Sequence, residues 1–576
     1  MTNHTDNRNH GYVALSSEPQ AHEQYSPTDV LSNTQLPTTD SLHSTSHGGT
    51  LIVHPHGHSY TYSYGPKGLT GLFHNYYALG CAVFASLGGL TFGYDQGVIA
   101  NVLVMKDFVT RWPISPLEKG LMTAMLELGS LIGALIAGIF ADRFSRRQAI
   151  MLACVVFCAG SALQFFAQSI PHLIIGRAIG GLGVGALSML SPLYMAEISP
   201  PEVRGSLMAL EQFSIVLGAV LGFWTGFFTR DLPGSASWRI PLGIQIIPGV
   251  LLGFGSISLP PSPRLLVAQG RSEEALQALA RLRLRSSMEA DTDPLLQIEL
   301  LEMRVEAALV EQSIGDVKAG GIRGEAQTWG QLFSKKYRPR TLIGVLMMVF
   351  QQWSGINALL YYGPTLMREL GLQGDTVTLM VAGGIGIVQF FAVFPVILYI
   401  DRFGRRPLLR WGSAVMSISH ITIALLVRQF ELDWPHHTMA AWTCVCCVYV
   451  FTAAYGMSYG PIGWILPSEV FPLSVRSKGV SLSTASNWIN NFLIGLVTPV
   501  LMDLSPSGTF IIFASACFLG YFWSTYSVPE TANVSLEEID AVFGSSAGRE
   551  DAELKHQIER ELGLTDLVGG LAARES

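Results

Sequence analysis

Long apolar runs recur along the chain from residue 76 to residue 527. Each run holds about 20 residues or more, the length that an α-helix needs to cross the hydrocarbon core of a bilayer. Polar residues gather between the runs, as expected for loops that connect helices. The pattern predicts an all-α membrane protein with twelve transmembrane helices, at residues 76–100, 121–141, 149–168, 172–196, 207–228, 239–259, 341–363, 376–400, 407–427, 438–466, 478–501 and 508–527.

Three polar segments flank or divide these runs. Residues 1–74 are rich in His, Ser, Thr and Asn without an apolar period, which is typical of a disordered tail. The insert 261–340 contains the stretch SEEALQALARLRLR, with acidic residues first, basic residues later and Leu at helical spacing. The predicted domains are a tail (1–74), a six-helix half (75–260), a helical linker (261–340), a second half (341–528) and a second tail (529–576).

Basic residues in the loops predict the orientation in the membrane. Arg143, Arg146 and Arg147 follow the second span, another Arg cluster follows the eighth, and many more lie in the central insert. Loops on the opposite side carry fewer basic residues. Because basic loops stay on the cytoplasmic side, we expect both tails and the linker to be cytoplasmic.

Two charged motifs occur twice, in the same order. Residues 142–147 read DRFSRR and residues 401–406 read DRFGRR, 259 positions later. Glu197 precedes Arg204 by seven residues, and Glu469 precedes Arg476 by seven, 272 positions later. Chance basic loops explain neither the order nor the spacing. The repeat therefore predicts two pseudo-symmetric six-helix halves, an architecture in which the substrate binds between the halves.

Composition narrows the function classes. Only 14% of the residues are charged and 49% are hydrophobic, and the net charge of −7 gives no indication of nucleic-acid binding. The seven Cys lie in apolar runs, which favours packing over a disulfide framework or a metal cluster. The sequence contains no hydrolase elbow, phosphate-binding loop or pair of metal ligands. We therefore expect no enzyme activity, no cofactor and no metal.

Several short motifs together resemble one family. GYDQGV (93–98), Gly176-Arg177, QQWSGIN (351–357), GPIGW (460–464) and PET (529–531) accompany the repeated loops. From residue 76 to about 540 the chain resembles the sugar-porter branch of the major facilitator superfamily, and its fungal members in particular. The resemblance implies a monomeric plasma-membrane carrier of a sugar that works by alternating access.

Buried amides are the candidate substrate ligands. Sugar hydroxyls both donate and accept hydrogen bonds, and an amide can pair with both functions. The resemblance implies that the substrate-binding residues are Gln212, Gln351, Gln352, Asn357, Tyr361, Gln389, Tyr455, Trp464, Asn487 and Asn491. The alternative is that the amides only join neighbouring helices. Gln389 stands where many members have Asn, so selectivity can differ here.

Asp95 and Arg177 are charges inside predicted spans, where a charge is costly and usually paired. The resemblance places them side by side and implies that Asp95 takes up the proton in proton-coupled members. We therefore expect a proton symporter. The alternative is a facilitative uniporter in which Asp95 and Arg177 form a static pair. Glu127 is a further acid in a predicted span, for which we expect a structural role.

The repeated loops predict a cytoplasmic gate of ion pairs that close and open during transport. Its predicted members are Asp142, Arg143, Arg147, Glu197, Arg204, Asp401, Arg402, Arg406, Glu469 and Arg476. Simple anchoring by basic loops would explain the Arg residues but not the Glu residues. Three departures from the family pattern fall on this region: Ser145 for Gly, the acid-free PPSPR at 260–264, and Ala532-Asn533 for Lys-Gly.

The predicted function is transport of a sugar, most simply a monosaccharide, with a proton. A polyol, a disaccharide or a quinate-like solute remains an alternative, as does efflux of another metabolite. A nutrient sensor on the same fold is the alternative of another class. The family's sensors tend to have very long tails, and the roughly 48 residues after position 528 argue against that role.

Overall fold

The computed structural model describes residues 41–44, 49–53, 60–66, 68–143, 145–286, 288, 290–314, 329–335, 337–370, 372, 374–431, 433–471, 475–531 and 546–573. Within this part of the chain, helices form twelve spans in two sets of six. The spans of the first half are span 1 (Tyr76–Ala85 and Leu87–Val102), span 2 (Pro116–Arg143), span 3 (Arg146–Phe165), span 4 (Ile170–Ile198), span 5 (Arg204–Thr229) and span 6 (Ala236–Ile244 and Ile246–Gly255).

The second half repeats this series. Its spans are span 7 (Arg338–Trp353 and Ile356–Glu369), span 8 (Asp375–Phe403), span 9 (Arg405–Phe430), span 10 (Thr438–Met457 and Tyr459–Val470), span 11 (Arg476–Leu504) and span 12 (Pro506–Tyr526). Eleven of the twelve are long and apolar enough to cross a membrane. The exception is span 11, which has 29 residues but is made polar by Ser and Asn side chains. The predicted twelve-helix membrane fold is confirmed.

Breaks within spans are the main difference from the predicted continuous helices. Span 7 is interrupted at Gly355, whose φ of 95° lies in the left-handed region that favours glycine. Span 10 is interrupted at Ser458, with φ −129° and ψ −87°. Such discontinuous helices present backbone groups and side chains toward a binding site in transporters. Both breaks are flanked by residues that line the cavity described below.

Spans 1 and 5 approach each other closely because of glycine. A Cβ added to Gly93 would lie 1.8 Å from the carbonyl oxygen of Ile215, so no larger residue fits there. Small residues at helix crossings are the usual way to pack helices in a bilayer, where burial from water supplies no attraction. The halves meet along spans 2 and 11, spans 5 and 8, and spans 1 and 7.

A separate domain outside the membrane spans combines both tails with the linker. We call it the linker–tail domain. Strands β1 (Ser41–Ser44), β2 (Thr50–Val53) and β3 (Tyr60–Ser63) form an antiparallel sheet in the order β1-β2-β3. The helices are α1 (Pro263–Ala268), α2 (Ser272–Leu282), α3 (Pro294–Ile314), α4 (Ser546–Glu561) and α5 (Leu564–Ala573).

The prediction of a disordered tail over residues 1–74 is wrong for the strands and for the short helix Gly68–His74. Residues 1–40 lie outside the described part. Leu51 and Tyr64 are buried against the apolar faces of α2 and α3, together with Ile558 and Val568 of the second tail. The strands are too short to show an apolar period, and their partners come from segments more than 200 residues away. Local pattern could not reveal this packing.

Candidate substrate-binding site

A cavity of about 430 Å³ lies between the two halves. This volume includes the part of the cavity that is open to solvent. Spans 1 and 5 form one wall, and spans 7, 8, 10 and 11 form the other. The lining residues are Phe92, Gln96, Gln212, Ile215, Val216, Ala219, Gln351, Gln352, Ile356, Asn357, Leu360, Gln389, Tyr455, Trp464 and Asn487.

Gln351 is held in place by the break in span 10 and by Asn487 of span 11. Its Nε2 donates to the carbonyl oxygens of Tyr459, at 2.9 Å, and Gly460, at 3.3 Å, which follow the break in span 10. Its Oε1 accepts from Nδ2 of Asn487 at 2.7 Å. Because these contacts satisfy most of its hydrogen-bonding capacity, the orientation of Gln351 in the cavity wall is fixed.

Asn357 links two further amides beyond the break at Gly355. Its Nδ2 donates to Oε1 of Gln352 at 2.5 Å and to Oδ1 of Asn491 at 2.9 Å. These bonds leave the Oδ1 acceptor of Asn357 and the Nε2 donor of Gln352 for other partners. The cavity wall can therefore offer both an acceptor and a donor to a hydroxylated ligand.

Eight of the ten predicted substrate-binding residues line the cavity: Gln212, Gln351, Gln352, Asn357, Gln389, Tyr455, Trp464 and Asn487. The other two, Tyr361 and Asn491, are fully buried behind the wall and contact each other.

Gln96 is a lining residue that the sequence analysis missed. Its Nε2 donates to the Oη of Tyr361 at 2.9 Å. An amide directly after the buried acid Asp95 would have been a usable signal, because uncharged polar side chains in membrane spans need partners. The apolar lining residues, such as Ile215 and Leu360, gave no such signal.

Asp95 and Arg177 form a fully buried ion pair, as predicted. Oδ2 of Asp95 lies 3.3 Å from Nη2 of Arg177, and both side chains are at most 1% exposed. The same Nη2 donates to the carbonyl oxygen of Thr123 at 3.3 Å. The pair therefore connects span 1 with span 4, and through Thr123 with span 2.

The repeated loops form matching ion pairs, but through other Arg residues than predicted. Arg146 Nη2 lies 2.9 Å from Glu197, and Arg405 Nη2 lies 2.8 Å from Glu469. Arg146 and Arg405 are the first residues of spans 3 and 9, and their side chains are directed at spans 4 and 10. The next residue on each helix is turned by about 100°.

Arg147 and Arg406 accordingly donate to carbonyl oxygens instead. Arg147 bonds to Leu259 at 3.1 Å, and Arg406 bonds to Thr525. Arg204 interacts electrostatically with Arg264 and Glu306 of the linker–tail domain rather than joining Glu197. These three Arg residues are therefore not paired with Glu197 or Glu469 in the described part of the chain, and their gate roles stay predictions. Asp142, Arg143, Asp401, Arg402 and Arg476 have side chains outside the described part, so their gate roles stay predictions.

Comparison with known proteins decides the family. The family model "Sugar (and other) transporter" matches residues 81–543. The chain belongs to the sugar-porter family of the major facilitator superfamily. Low-affinity glucose transporter HXT3 of Saccharomyces cerevisiae is 31% identical over 80% of this chain and 81% of its own length. The D-xylose transporter of Levilactobacillus brevis is 32% identical over 82% and 97%, respectively.

Solved structures agree with this assignment. The proton:xylose symporter XylE, bound to 6-bromo-6-deoxy-D-glucose, matches with a TM-score of 0.66 at 26% sequence identity. The match covers 81% of this chain and 99% of the XylE chain. The protein is thus a sugar-porter-family transporter and not an enzyme, as the sequence predicted.

Proposed function

We propose that this sugar porter is a monosaccharide–proton symporter, with the sugar in the cavity between the halves and the proton on Asp95. The observation that carries the proposal is that one helix bundle contains both an amide-lined cavity and the buried ion pair of Asp95 and Arg177. XylE, which is described as a proton:xylose symporter, supports it by similarity.

The cavity suits a monosaccharide chemically. Gln352, Asn357 and Gln212 can pair with hydroxyls, whereas Trp464 and Phe92 can cover the weakly apolar face of a sugar ring. The cavity wall is built from both halves, so a bound sugar would contact both. Movement of one half against the other would then expose the sugar to alternate sides of the membrane.

Asp95 couples the proton to this movement through charge. While Asp95 is ionised, its carboxylate attracts Arg177 and holds spans 1 and 4 together in a water-poor interior. A proton on Asp95 removes the charge and loosens this attraction. Arg177 can then shift toward its second partner, the Thr123 carbonyl. Proton binding therefore lowers the cost of moving span 1 relative to spans 2 and 4.

The ion pairs at Glu197 and Glu469 are proposed to close the cytoplasmic side. Arg146–Glu197 joins spans 3 and 4, and Arg405–Glu469 joins spans 9 and 10. Breaking both would let the ends of the spans separate. The protein is further proposed to act as a monomer in the plasma membrane with both tails in the cytoplasm, as the basic loops predict.

The test is uptake of radiolabelled D-glucose, D-xylose, a polyol and quinate in cells that lack their own sugar carriers, with external pH recorded. We expect uptake of a monosaccharide accompanied by alkalinisation of the medium. Asp95→Asn should abolish accumulation against a gradient while sugar exchange continues. Asp231→Asn, an exposed acid outside the spans, is the control and should behave as wild type. If neither a protonophore nor the Asp95→Asn substitution changes uptake, the protein is a uniporter.

A further inference from the structure

Glu127 is a buried acid in span 2 that the proposed mechanism leaves unused. Its side chain is completely buried, and its Oε1 accepts from the Oη of Tyr361 at 2.8 Å. Span 4 presents Arg177 to it, span 1 presents Asp95, and span 7 presents Tyr361 and Tyr362. From span 11, the uncharged Asn491 contacts the same Tyr361 oxygen. Glu127 is thus the only acid in the described residues that is hydrogen-bonded to Tyr361.

Tyr361 connects Glu127 to the cavity. Its Oη accepts from Nε2 of Gln96 and from Nδ2 of Asn491, both at 2.9 Å, while its own hydrogen goes to Glu127. A phenol oxygen has one hydrogen to donate and two lone pairs to accept with. With Glu127 ionised, all three positions are therefore filled. Gln96 lines the cavity, but one of the two hydrogens on its Nε2 is used by Tyr361 and is not available to a ligand.

Protonation of Glu127 changes the number of hydrogen-bond donors around the Tyr361 oxygen. A proton on Oε1 of Glu127, the oxygen that faces Tyr361, donates to the Oη of Tyr361, whose own hydrogen then turns to Oδ1 of Asn491, 3.1 Å away. Three donors now compete for two lone pairs on Tyr361, so one amide must leave. Releasing Asn491 would strand a fully buried donor, which is costly, whereas Gln96 can pair with a ligand in the cavity.

We propose that Glu127 is a second proton-binding carboxyl and that its protonation, relayed through Tyr361, releases the Gln96 amide to bind the sugar. Glu127 acts as a positioning residue, because it reaches the ligand only through Tyr361 and Gln96. The step forms one O–H bond and needs only a proton from water on one side and its return to water on the other. The inference rests on the proposed function, because the released amide matters only when a sugar occupies the cavity.

The first experiment needs no sugar. Infrared difference spectra of the purified protein, recorded between about pH 8 and about pH 5, report the C=O stretch of carboxyls that become protonated. We expect a band that is absent in Glu127→Gln, shifted in Tyr361→Phe and retained in Asp95→Asn. Glu118→Gln, which removes an exposed acid from the same span, should retain it. If no band is lost in Glu127→Gln, the proposal is overturned whatever the sugar assays show.

The second experiment measures equilibrium binding of radiolabelled D-glucose and D-xylose across the same pH range. Wild type should bind sugar more tightly at low pH, with a change in Kd on the order of tenfold, which is typical of coupled sites. Glu127→Gln should bind with the low-pH affinity at every pH, because its amide N–H can donate to Tyr361 as the protonated acid would. A pH profile retained in Glu127→Gln, or lost in Asp95→Asn, contradicts the proposal. A symport defect confined to Asp95→Asn leaves it intact.

Discussion

The first half of the transporter buries a cluster of charged side chains within its spans, whereas the second half supplies five of the seven amides that line the cavity. Asp95, Glu127 and Arg177 form one cluster in spans 1, 2 and 4. Gln351, Asn357 and the amides that they contact lie on spans 7 and 11. The matching ion pairs at Glu197 and Glu469 show that both halves keep the same scaffold. On this shared scaffold, the proposed function assigns proton coupling to the interior of the first half and most of the sugar recognition to the second.

The largest expected effect concerns the scaffold pairs. In Arg146–Glu197 both side chains are 8% exposed, whereas in Arg405–Glu469 the Glu side chain is 23% exposed. Breaking a buried pair leaves an uncompensated charge and costs about 3–5 kcal/mol. We therefore expect Arg146→Ala to lower the free energy of unfolding by that amount and Arg405→Ala by less. Thermal unfolding of the protein in detergent measures both.

Arg147→Ala is the matched control for the first pair. This neighbouring residue donates only to backbone carbonyls near Leu259, so its loss should cost about 1 kcal/mol or less. Equal destabilisation by Arg146→Ala and Arg405→Ala would contradict the idea that burial separates the two pairs.

The next effect tests recognition. Gln351→Ala removes three hydrogen bonds, and the amide of Asn487 loses its acceptor in a buried wall. Unpaired buried groups cost about 1–3 kcal/mol each, which predicts a loss of sugar affinity of about 5- to 150-fold. Val216→Ala removes apolar lining from the first half without leaving a polar group unpaired, so we expect a smaller loss of affinity than in Gln351→Ala. Uptake kinetics give the sugar affinities of both variants. A larger loss of affinity in Val216→Ala than in Gln351→Ala would contradict the assignment of recognition mainly to the second half.

The sequence predicted the scaffold well, because its signals are local. Apolar runs of span length and the repeated DRFSRR and DRFGRR loops specified twelve helices in two halves. The family resemblance also indicated eight residues that line the cavity, six of them amides, which are recognisable in apolar membrane spans. It could not predict that Tyr361 lies behind the cavity wall, nor that Glu197 pairs with Arg146, a residue outside the predicted gate. Such details depend on side-chain direction and tertiary packing.

A third difference between the halves is the linker–tail domain, which is fixed to the first. Arg283 donates to the carbonyl oxygens of Ile198, at 2.9 Å, and Ser199, at 3.4 Å, at the end of span 4. Strand β3 adds Tyr60 and Tyr62, which donate to Glu302 at 2.8 and 2.7 Å. Burial raises the pKa of Glu302 to about 7, although these two hydrogen bonds act in the opposite direction.

This pKa makes docking of β3 sensitive to pH. Glu302 binds a proton more tightly when β3 covers it, so the docked state is favoured below about pH 7. Docking should weaken as the pH rises from the ordinary Glu value through about 7, by up to roughly 2 kcal/mol. Hydrogen exchange of Tyr60–Ser63 at pH values on either side of 7, corrected for intrinsic rates, should show less protection at the higher pH. Glu302→Gln should remove this dependence, whereas Glu311→Gln, an exposed acid on the same helix, should retain it.

The smallest expected effect concerns selectivity at Gln389, which lines the second-half wall and is 4% exposed. Gln389→Asn keeps the amide but withdraws it by one methylene, leaving more room beside the sugar. One methylene in a binding pocket is worth about 1–3 kcal/mol, and an adaptable polar contact falls at the low end. We expect the ratio of D-glucose to D-xylose affinity to rise about fivefold, because the larger sugar gains the space. Competition uptake with both sugars measures this ratio.

The matched control is the same substitution in the first half, Gln212→Asn, which should change the affinity for both sugars by the same factor. A change in selectivity in Gln212→Asn but not in Gln389→Asn would contradict the assignment of selectivity to the second half.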